Sequence, residues 1–382
     1  MHRSFFKFPL ASLIVLAASA SAQNPPAAAT STLGVQFADP LLQTAEVMPL
    51  AEHSLLLDLA RSGERLVAVG ERGHVLMSSD GKTWTQSANV PVRSALTAVS
   101  AVGADVWAVG HDGIILHSGN AGETWEIQRR DPRGAAIAAA GDEIRQGAPL
   151  LDVLFSDPKH GIAIGAYSLL LTTSDGGKTW NGSRMVMAGG AAAETPQAPA
   201  DAAADDAQAA DENDSAVFSE EELEIAMEDD PHLNAIARTA SGDYVIVGER
   251  GAFFHSSDQG QTWTGGQLPY DGSMFGIIGF EGQHVLAFGL RGHVFESRDL
   301  GANWDEVATG TELSLMGGVA MDNGGAVIVG ANGVLLKRAS ASEPLAASTF
   351  NEAGVIAGVL PATDNNDLLI VSENGIRRIQ PK

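Results

Sequence analysis

Three arginines occupy the same position of a repeated turn, and their chemistry suits the binding of an acidic partner. Arg72, Arg250 and Arg291 each follow an apolar stretch that ends in Gly, in the phrases VAVGERG, VIVGERG and AFGLRG. A guanidinium group presents its N–H donors in a planar fork, which suits bidentate recognition of carboxylates. We expect these arginines to form a partner-binding site if their turns share one surface. The alternative is that each arginine pairs with an adjacent acid, such as Glu71 or Glu249.

Acidic residues also recur, but their context indicates turns. Five phrases combine Ser or Thr, then Asp or Asn, Gly and Trp, as in SSDGKTW at 78–84. A carboxylate that accepts N–H groups of its own turn closes a β-hairpin, and the Trp can hold the returning strand on its neighbours. We therefore expect no catalytic residue, catalytic metal or cofactor. The residues with an expected structural role are Asp80, Trp84, Asn120, Trp125, Asp175, Trp180, Asp258, Trp263, Asp299 and Trp304.

Both kinds of turn belong to a unit that occurs seven times. The Gly that ends the second strand of the unit recurs with steps of 40, 55, 83, 41, 41 and 42 residues, and Ser372 takes its place in the last copy. A complete unit contains four short strands, and the last copy has three. A period of about 40 to 45 residues with four strands is typical of a β-propeller blade, and the two long steps indicate insertions. The sequence therefore predicts an all-β, seven-bladed propeller that spans residues 33–382.

The order of strands in a blade predicts two distinct faces and a closed ring. Turns after the first and third strands lie on one face, so the Asp hairpins should lie opposite the arginine turns. The seventh copy has only three strands before Lys382. We expect a strand from residues 33–47 to supply the fourth, because pairing the first strand with the last removes two open edges.

The first residues resemble an export signal. Arg3 and Lys7 precede an apolar stretch around residues 8–19, and Ala20-Ser21-Ala22 forms a small-residue cleavage pattern. An uncleaved anchor is the alternative, although the apolar stretch is short for a bilayer span. The sequence predicts a signal peptide at residues 1–22, cleavage after Ala22, and a periplasmic mature protein.

Two insertions interrupt the repeats, and one carries much of the charge. Residues 129–149 are Arg-rich and then Ala-rich, whereas residues 188–230 are rich in Ala, Asp and Glu, so we expect a largely disordered acidic segment. The net charge is −24, and 14 acids with no Lys or Arg lie between Arg184 and Arg238. This acidity argues against a nucleic-acid partner. The acidic insertion is either a partner-binding arm or a solvated loop.

The VGxxG turn followed by an apolar strand and the Asp hairpin resembles the photosystem II stability and assembly factor family. That family consists of exported seven-bladed propellers with Asp-box, or BNR-like, repeats. The resemblance covers roughly residues 45–382 apart from the insertions. It implies a non-enzymatic assembly factor that binds a membrane protein through an arginine-rich face, here Arg72, Arg250 and Arg291. The implied partner is a photosystem-type subunit or, in bacteria without photosystems, a transporter of the resistance-nodulation-division type.

An enzyme is the competing interpretation, because Asp boxes also occur in sialidases and related glycoside hydrolases. Such a site needs three arginines around a Tyr nucleophile with a nearby carboxylate. Tyr167 and Tyr270 lie in loops on the suitable face, whereas the usual Arg-Ile-Pro signature is missing. A sialidase-like hydrolase or a glycan-binding propeller therefore stays as the alternative function.

Overall fold

Short antiparallel strands account for nearly all the regular structure. The computed structural model describes residues 43–131, 147–187, 230–363 and 367–380. In these residues the chain forms seven separate sheets, six with four strands and one with three, and each sheet follows the order of the sequence. The predicted all-β, seven-bladed propeller is confirmed. Among the described residues, no helix has the length and apolar character needed to cross a bilayer.

Each sheet is one blade, numbered in chain order. Blades 1 to 3 contain β1(Leu56–Ser62), β2(Arg65–Gly70), β3(Val75–Ser78) and β4(Thr85–Gln86), then β5(Leu96–Val102), β6(Asp105–Gly110), β7(Ile115–Ser118) and β8(Glu126–Arg129), then β9(Leu150–Phe155), β10(Gly161–Gly165), β11(Leu169–Thr173) and β12(Asn181–Arg184). Blades 4 and 5 contain β13(Leu233–Arg238), β14(Tyr244–Gly248), β15(Ala252–Ser256) and β16(Thr264–Gln267), then β17(Met274–Gly279), β18(Val285–Gly289), β19(Val294–Ser297) and β20(Asp305–Glu306). Blades 6 and 7 contain β21(Leu315–Ala320), β22(Ala326–Gly330), β23(Val334–Arg338) and β24(Ala346–Thr349), then β25(Ile356–Pro361), β26(Leu368–Ser372) and β27(Gly375–Ile379). The short 3₁₀ turns are Ala51–His53, Glu71–Gly73, His111–Gly113, Glu249–Gly251, Leu290–Gly292, Asp322–Gly324 and Ala331–Gly333.

The first strands of the blades form the inner ring. They contact one another in the order β1, β5, β9, β13, β17, β21 and β25, and β25 also contacts β1. One cluster of buried apolar side chains fills each of the seven interfaces between neighbouring blades. The hydrophobic core is therefore distributed around the ring, and burial of these side chains between the sheets is what holds the blades together.

The repeated Gly at the end of the second strand permits a close approach to the inner strand. A Cβ at Gly110 would lie 2.0 Å from the carbonyl oxygen of Ala95, and one at Gly248 would lie 2.2 Å from that of His232. The same two carbonyls accept hydrogen bonds from His111 and Glu249, the first turn residues, at 3.0 Å each. An equivalent bond occurs in all seven blades. These contacts fix each turn against the start of an inner strand.

The Asp hairpins are held by side-chain to backbone bonds. In blade 4, Asp258 Oδ1 accepts the Thr262 N–H at 2.9 Å and the Ser256 hydroxyl at 2.8 Å. Bonds at the corresponding atoms occur at Asp80, Asn120, Asp175 and Asp299. These bonds hold the pKa values of Asp80, Asp175 and Asp258 at about 2 and also lower the pKa of Asp299. The five Trp residues pack against the clusters between blades.

A buried ion-pair network joins blades 5 and 6. Blade 6 is one of the two blades whose sequence has no Asp hairpin. The Arg338 side chain is only 2% exposed and lies 2.9 Å from Glu296 Oε1. His284 contacts the same oxygen at 2.6 Å, and the Arg338 guanidinium lies 5.5 Å from the centre of the Phe280 ring. Because both charges are enclosed, each depends on the other for stability.

Three expectations fall wholly or partly on residues that are not described. These are the signal peptide at 1–22, most of the insertion at 129–149 and nearly all of the acidic insertion at 188–230. The ring-closing strand expected from residues 33–47 also lies mostly outside the described part. Its last residues contact blade 1, where the Ala45 N–H donates to the Val90 carbonyl and Gln86 bonds to Glu46 and Met48. The described part of blade 7 has three strands.

Candidate functional site

The three predicted arginines have the same backbone conformation. Arg72, Arg250 and Arg291 are the middle residues of 3₁₀ turns, with φ of 55°, 54° and 55°. This left-handed conformation directs each turn sharply back into the third strand, and the following residue is a Gly with positive φ. All three side chains are exposed. Because the strands are antiparallel, these turns lie on the face opposite the Asp hairpins, as the sequence predicts.

The structure brings two of the arginines close in the ring and leaves the third apart. Arg250 belongs to blade 4 and Arg291 to blade 5, and these blades pack directly against each other. Arg72 belongs to blade 1, three blades away from either of them. The three turns therefore do not place all the arginines on neighbouring blades. The four other blades present Asp112, Tyr167, Asn332 and Asn374 at the same position of the turn.

An aromatic residue connects the two neighbouring arginine turns. Tyr270 lies in the loop from blade 4 to blade 5, and its carbonyl oxygen would be 2.3 Å from a Cβ at Gly251, directly after Arg250. Its ring lies 4.1 Å, centre to centre, from that of His293, two residues after Arg291. We call Arg250, Tyr270, Arg291 and His293 the blade 4–5 strip.

A groove of about 780 Å³ borders the blade 4–5 strip. It is lined by Arg291 and His293, and by the backbone and side chains of residues 306–309, 311 and 312. His293 Nδ1 lies 2.7 Å from Glu306 Oε1, so one acid of the groove already has a basic partner. The groove thus combines the cation of Arg291 and the imidazole of His293 with two carboxylates, Glu306 and Glu312, and the hydroxyl groups of Thr309 and Thr311. Such a mixture of charged and polar groups is typical of the rim of a protein-binding surface.

The central channel opens on the same face. A cavity of about 260 Å³ is lined by residues near the start of the first strand of every blade. These starts pair with the ends of the second strands, which the arginine turns follow. Blades 5 to 7 contribute an apolar wall that includes Phe275 and Met316, together with glycines. Blades 1 to 4 contribute polar groups, of which the charged ones are Asp58 and Asp152. Neither acid belongs to a repeated motif of the sequence.

Burial makes ionisation of the two channel acids unfavourable. It raises the pKa of Asp58 to about 6. Burial, with a smaller contribution from the charge on Asp58, raises the pKa of Asp152 to about 7. Hydrogen bonds from backbone N–H groups oppose both shifts without cancelling them. A strand Asp gives no local signal of this role, because the second N–H that it accepts comes from another blade.

The geometry does not favour the chemistry of a sialidase. Tyr167 lies in blade 3 with its ring 5.1 Å from that of His232, whereas Tyr270 belongs to the blade 4–5 strip. Arg72 is separated from the other two arginines by three blades, so the triad expected around one Tyr is not assembled on adjacent turns. Within the described ranges there is no group of three or more His, Asp or Glu side chains that could hold a metal ion.

Comparison with known proteins points to one family. Residues 42–135 match the family model described as the photosynthesis system II assembly factor YCF48. The resemblance expected from the repeats is confirmed. The matched family is described as an assembly factor. No curated protein sequence matches the chain.

Solved structures share the fold at low sequence identity. YCF48 bound to a D1 peptide is 15% identical, with a TM-score of 0.59 over 91% of this chain and 100% of that one. YCF48 from Cyanidioschyzon merolae is 14% identical, with a TM-score of 0.59 over 88% and 98%. The WD40 propeller domain of Doa1 reaches a TM-score of 0.57 at 12% identity, over 90% and 97%. Because a WD40 propeller scores almost as well and all identities are 15% or lower, these likenesses show the propeller fold alone.

Proposed function

We propose that this protein is an exported, non-enzymatic assembly factor that binds a membrane protein through the face of the arginine turns. The blade 4–5 strip is the observation that carries the proposal. It places Arg250 and Arg291 on neighbouring blades beside Tyr270, and Arg291 also lines a groove large enough for several side chains of a partner. Arg and Tyr are enriched among the residues that dominate binding energy at protein interfaces.

The partner's contact segment is acidic and extended in this proposal. Two guanidinium groups on adjacent turns suit carboxylates spaced along a peptide. A likeness in the family supports a peptide ligand, since the YCF48 structure at 15% identity contains a D1 peptide. The partner is either a photosystem-type subunit or a transporter of the resistance-nodulation-division type.

The test is recovery of the partner from detergent-solubilised membranes, followed by mass spectrometry. We expect Arg250→Gln combined with Arg291→Gln to reduce recovery about tenfold or more, because each charge-assisted bond contributes about 1.5–3 kcal/mol. Arg72→Gln alone should reduce recovery less, since Arg72 lies across the ring. Replacing all three arginines should abolish recovery while the protein still folds.

A matched control uses the opposite face. Lys82, Lys178 and Arg298 are exposed cations in Asp hairpins, so replacing all three with Gln changes the net charge by the same amount as replacing the three arginines. Recovery that survives this control but not the arginine changes supports a specific face. Equal recovery from the triple arginine variant and the unmodified protein would overturn the proposal, and so would equal loss in both variants.

Export forms a separate part of the proposal with its own measurement. The N-terminus of the protein isolated from the native host should begin at Gln23. A fraction that stays with the cytoplasm and retains Met1 would contradict export without affecting the binding result.

A further inference from the structure

Asp58 and Asp152 connect neighbouring blades at the same register of the ring. In each case one carboxylate oxygen accepts an N–H from the acid's own strand and the other accepts an N–H from the inner strand of the next blade. We call each arrangement a clasp. The four bonds run from Leu59 and Val99 to Asp58, at 2.8 Å each, and from Val153 and Ile236 to Asp152, at 2.7 and 2.8 Å. Blade 1 is thereby joined to blade 2, and blade 3 to blade 4.

The clasp of Asp152 lies where the chain itself constrains the blades least. The connection between Arg184, at the end of blade 3, and Leu233, at the start of blade 4, contains 48 residues. The one from Gln267 to Met274, between blades 4 and 5, contains six. Because a longer connection restrains its ends less, the interface between blades 3 and 4 depends more on noncovalent contacts such as this clasp.

No cation in the channel compensates these acids. Among the described lining residues, Asp58 and Asp152 are the charged and titratable ones. The inner strands packed on Asp152, from blades 2 and 4, contribute Thr97, Asn234 and apolar residues. Those packed on Asp58, from blades 2 and 7, contribute Thr97, Gly358 and apolar residues. Among these lining residues, the only charged group that each acid faces is therefore the other acid.

We propose that the two clasps form a pH-dependent latch, in which loss of the carboxyl protons favours opening of the interfaces between blades 1 and 2 and between blades 3 and 4. Neutral carboxyl groups keep their backbone bonds and carry no charge into the channel. Ionised groups are only partly exposed in the channel, and they gain further hydration when the interface opens to water.

The sign follows from the raised pKa of both acids in the closed ring. Stability from such groups is fully present below their ordinary value near 3.8 and is lost as the pH rises through about 6 for Asp58 and about 7 for Asp152. The latch therefore loosens mainly between pH 4 and 7. Above about pH 7 the opening no longer depends on these groups.

Hydrogen exchange of the two bonded amides tests the latch directly. The opening constants at Ile236 and Val99, corrected for intrinsic exchange, should rise from pH 5 to pH 8 by about 100-fold and about tenfold if opening restores ordinary acidity. Gly318 provides the matched amide. It has the position in the first strand of blade 6 that Ile236 has in blade 4, but the position that corresponds to Asp152 in the preceding blade is Gly276. Its opening constant should not change with pH.

Variants separate the latch from a general effect of pH. Asp152→Asn should remove the pH dependence at Ile236 and leave that at Val99, and Asp58→Asn should do the reverse. An unchanged profile at Ile236 in Asp152→Asn, or a Gly318 profile that parallels Ile236, would overturn the proposal. If neither variant folds, titration of the side-chain carboxyl groups of the unmodified protein, followed by ¹³C NMR, tests the proposal instead. Midpoints near 6 and 7 support the latch, and midpoints below 5 for both acids refute it.

Discussion

Gly110 offers a direct test of the close approach between turn and inner strand. A methyl group there would lie 2.0 Å from the Ala95 carbonyl oxygen and 2.9 Å from the Leu96 Cα. Separation to ordinary contact requires a shift of more than about 1 Å in a closely packed ring, which costs about 1–3 kcal/mol. The shift also weakens the 3.0 Å bond from the His111 N–H to Ala95, which is worth about 1 kcal/mol. We expect Gly110→Ala to lower the free energy of unfolding by about 2–4 kcal/mol.

The control is Gly103 in the same blade. It has φ of 63° and nothing within 4 Å of an added Cβ, so Gly103→Ala tests backbone strain without a collision. That strain costs about 1–2 kcal/mol, partly offset by the lower entropy of the unfolded chain. Urea unfolding followed by Trp fluorescence measures both variants. Equal losses would show that the close approach is not what requires Gly at position 110.

Other side chains give independent predictions. Asp258→Ala should lower the melting temperature at neutral pH because Thr262 loses its acceptor, and the difference should shrink as the pH falls towards 2, where the pKa of Asp258 lies. Glu296→Gln should cost about 3–5 kcal/mol in urea unfolding by leaving Arg338 without its counter-charge, and a smaller cost for the pair Glu296→Gln, Arg338→Met would confirm the coupling. Trp107→Ala should cost about 3–5 kcal/mol, since its ring is buried and stacks on Phe155 at 3.6 Å; a loss below about 1 kcal/mol would contradict that packing.

The repeated phrases predicted the fold because their signals are local. The Asp hairpins and the Gly turns mark strand ends within a few residues, and their spacing alone gives the number of blades. The face of Arg72, Arg250 and Arg291 follows from the alternation of turns in an antiparallel sheet. Their distribution around the ring follows from the blade count, which places Arg72 three blades away from Arg250 and Arg291.

The channel acids could not be found in the same way. Asp58 bonds to an amide 41 residues away, and Asp152 to one 84 residues away, across the acidic insertion. Their neighbours in the strands give no turn signal or charge pattern. Arg338 is similar, because its partner Glu296 is 42 residues distant and an Arg at a strand end normally indicates solvent exposure. Such long-range pairs depend on the closed ring, which local patterns do not encode.

The bond between each turn and its inner strand has a consequence for how this face can change. The backbone N–H of the first turn residue and a carbonyl of the inner strand make the bond in every blade, so no side chain at the second position takes part. In six blades that position holds Arg, Asp, Tyr or Asn with almost the same left-handed backbone, with φ between 52° and 62°, and Asn374 in blade 7 is the exception. The six left-handed positions thus act as separate sites for substitution around one opening. Partner preference can evolve or be redesigned there one blade at a time, while the ring that supports it keeps its packing.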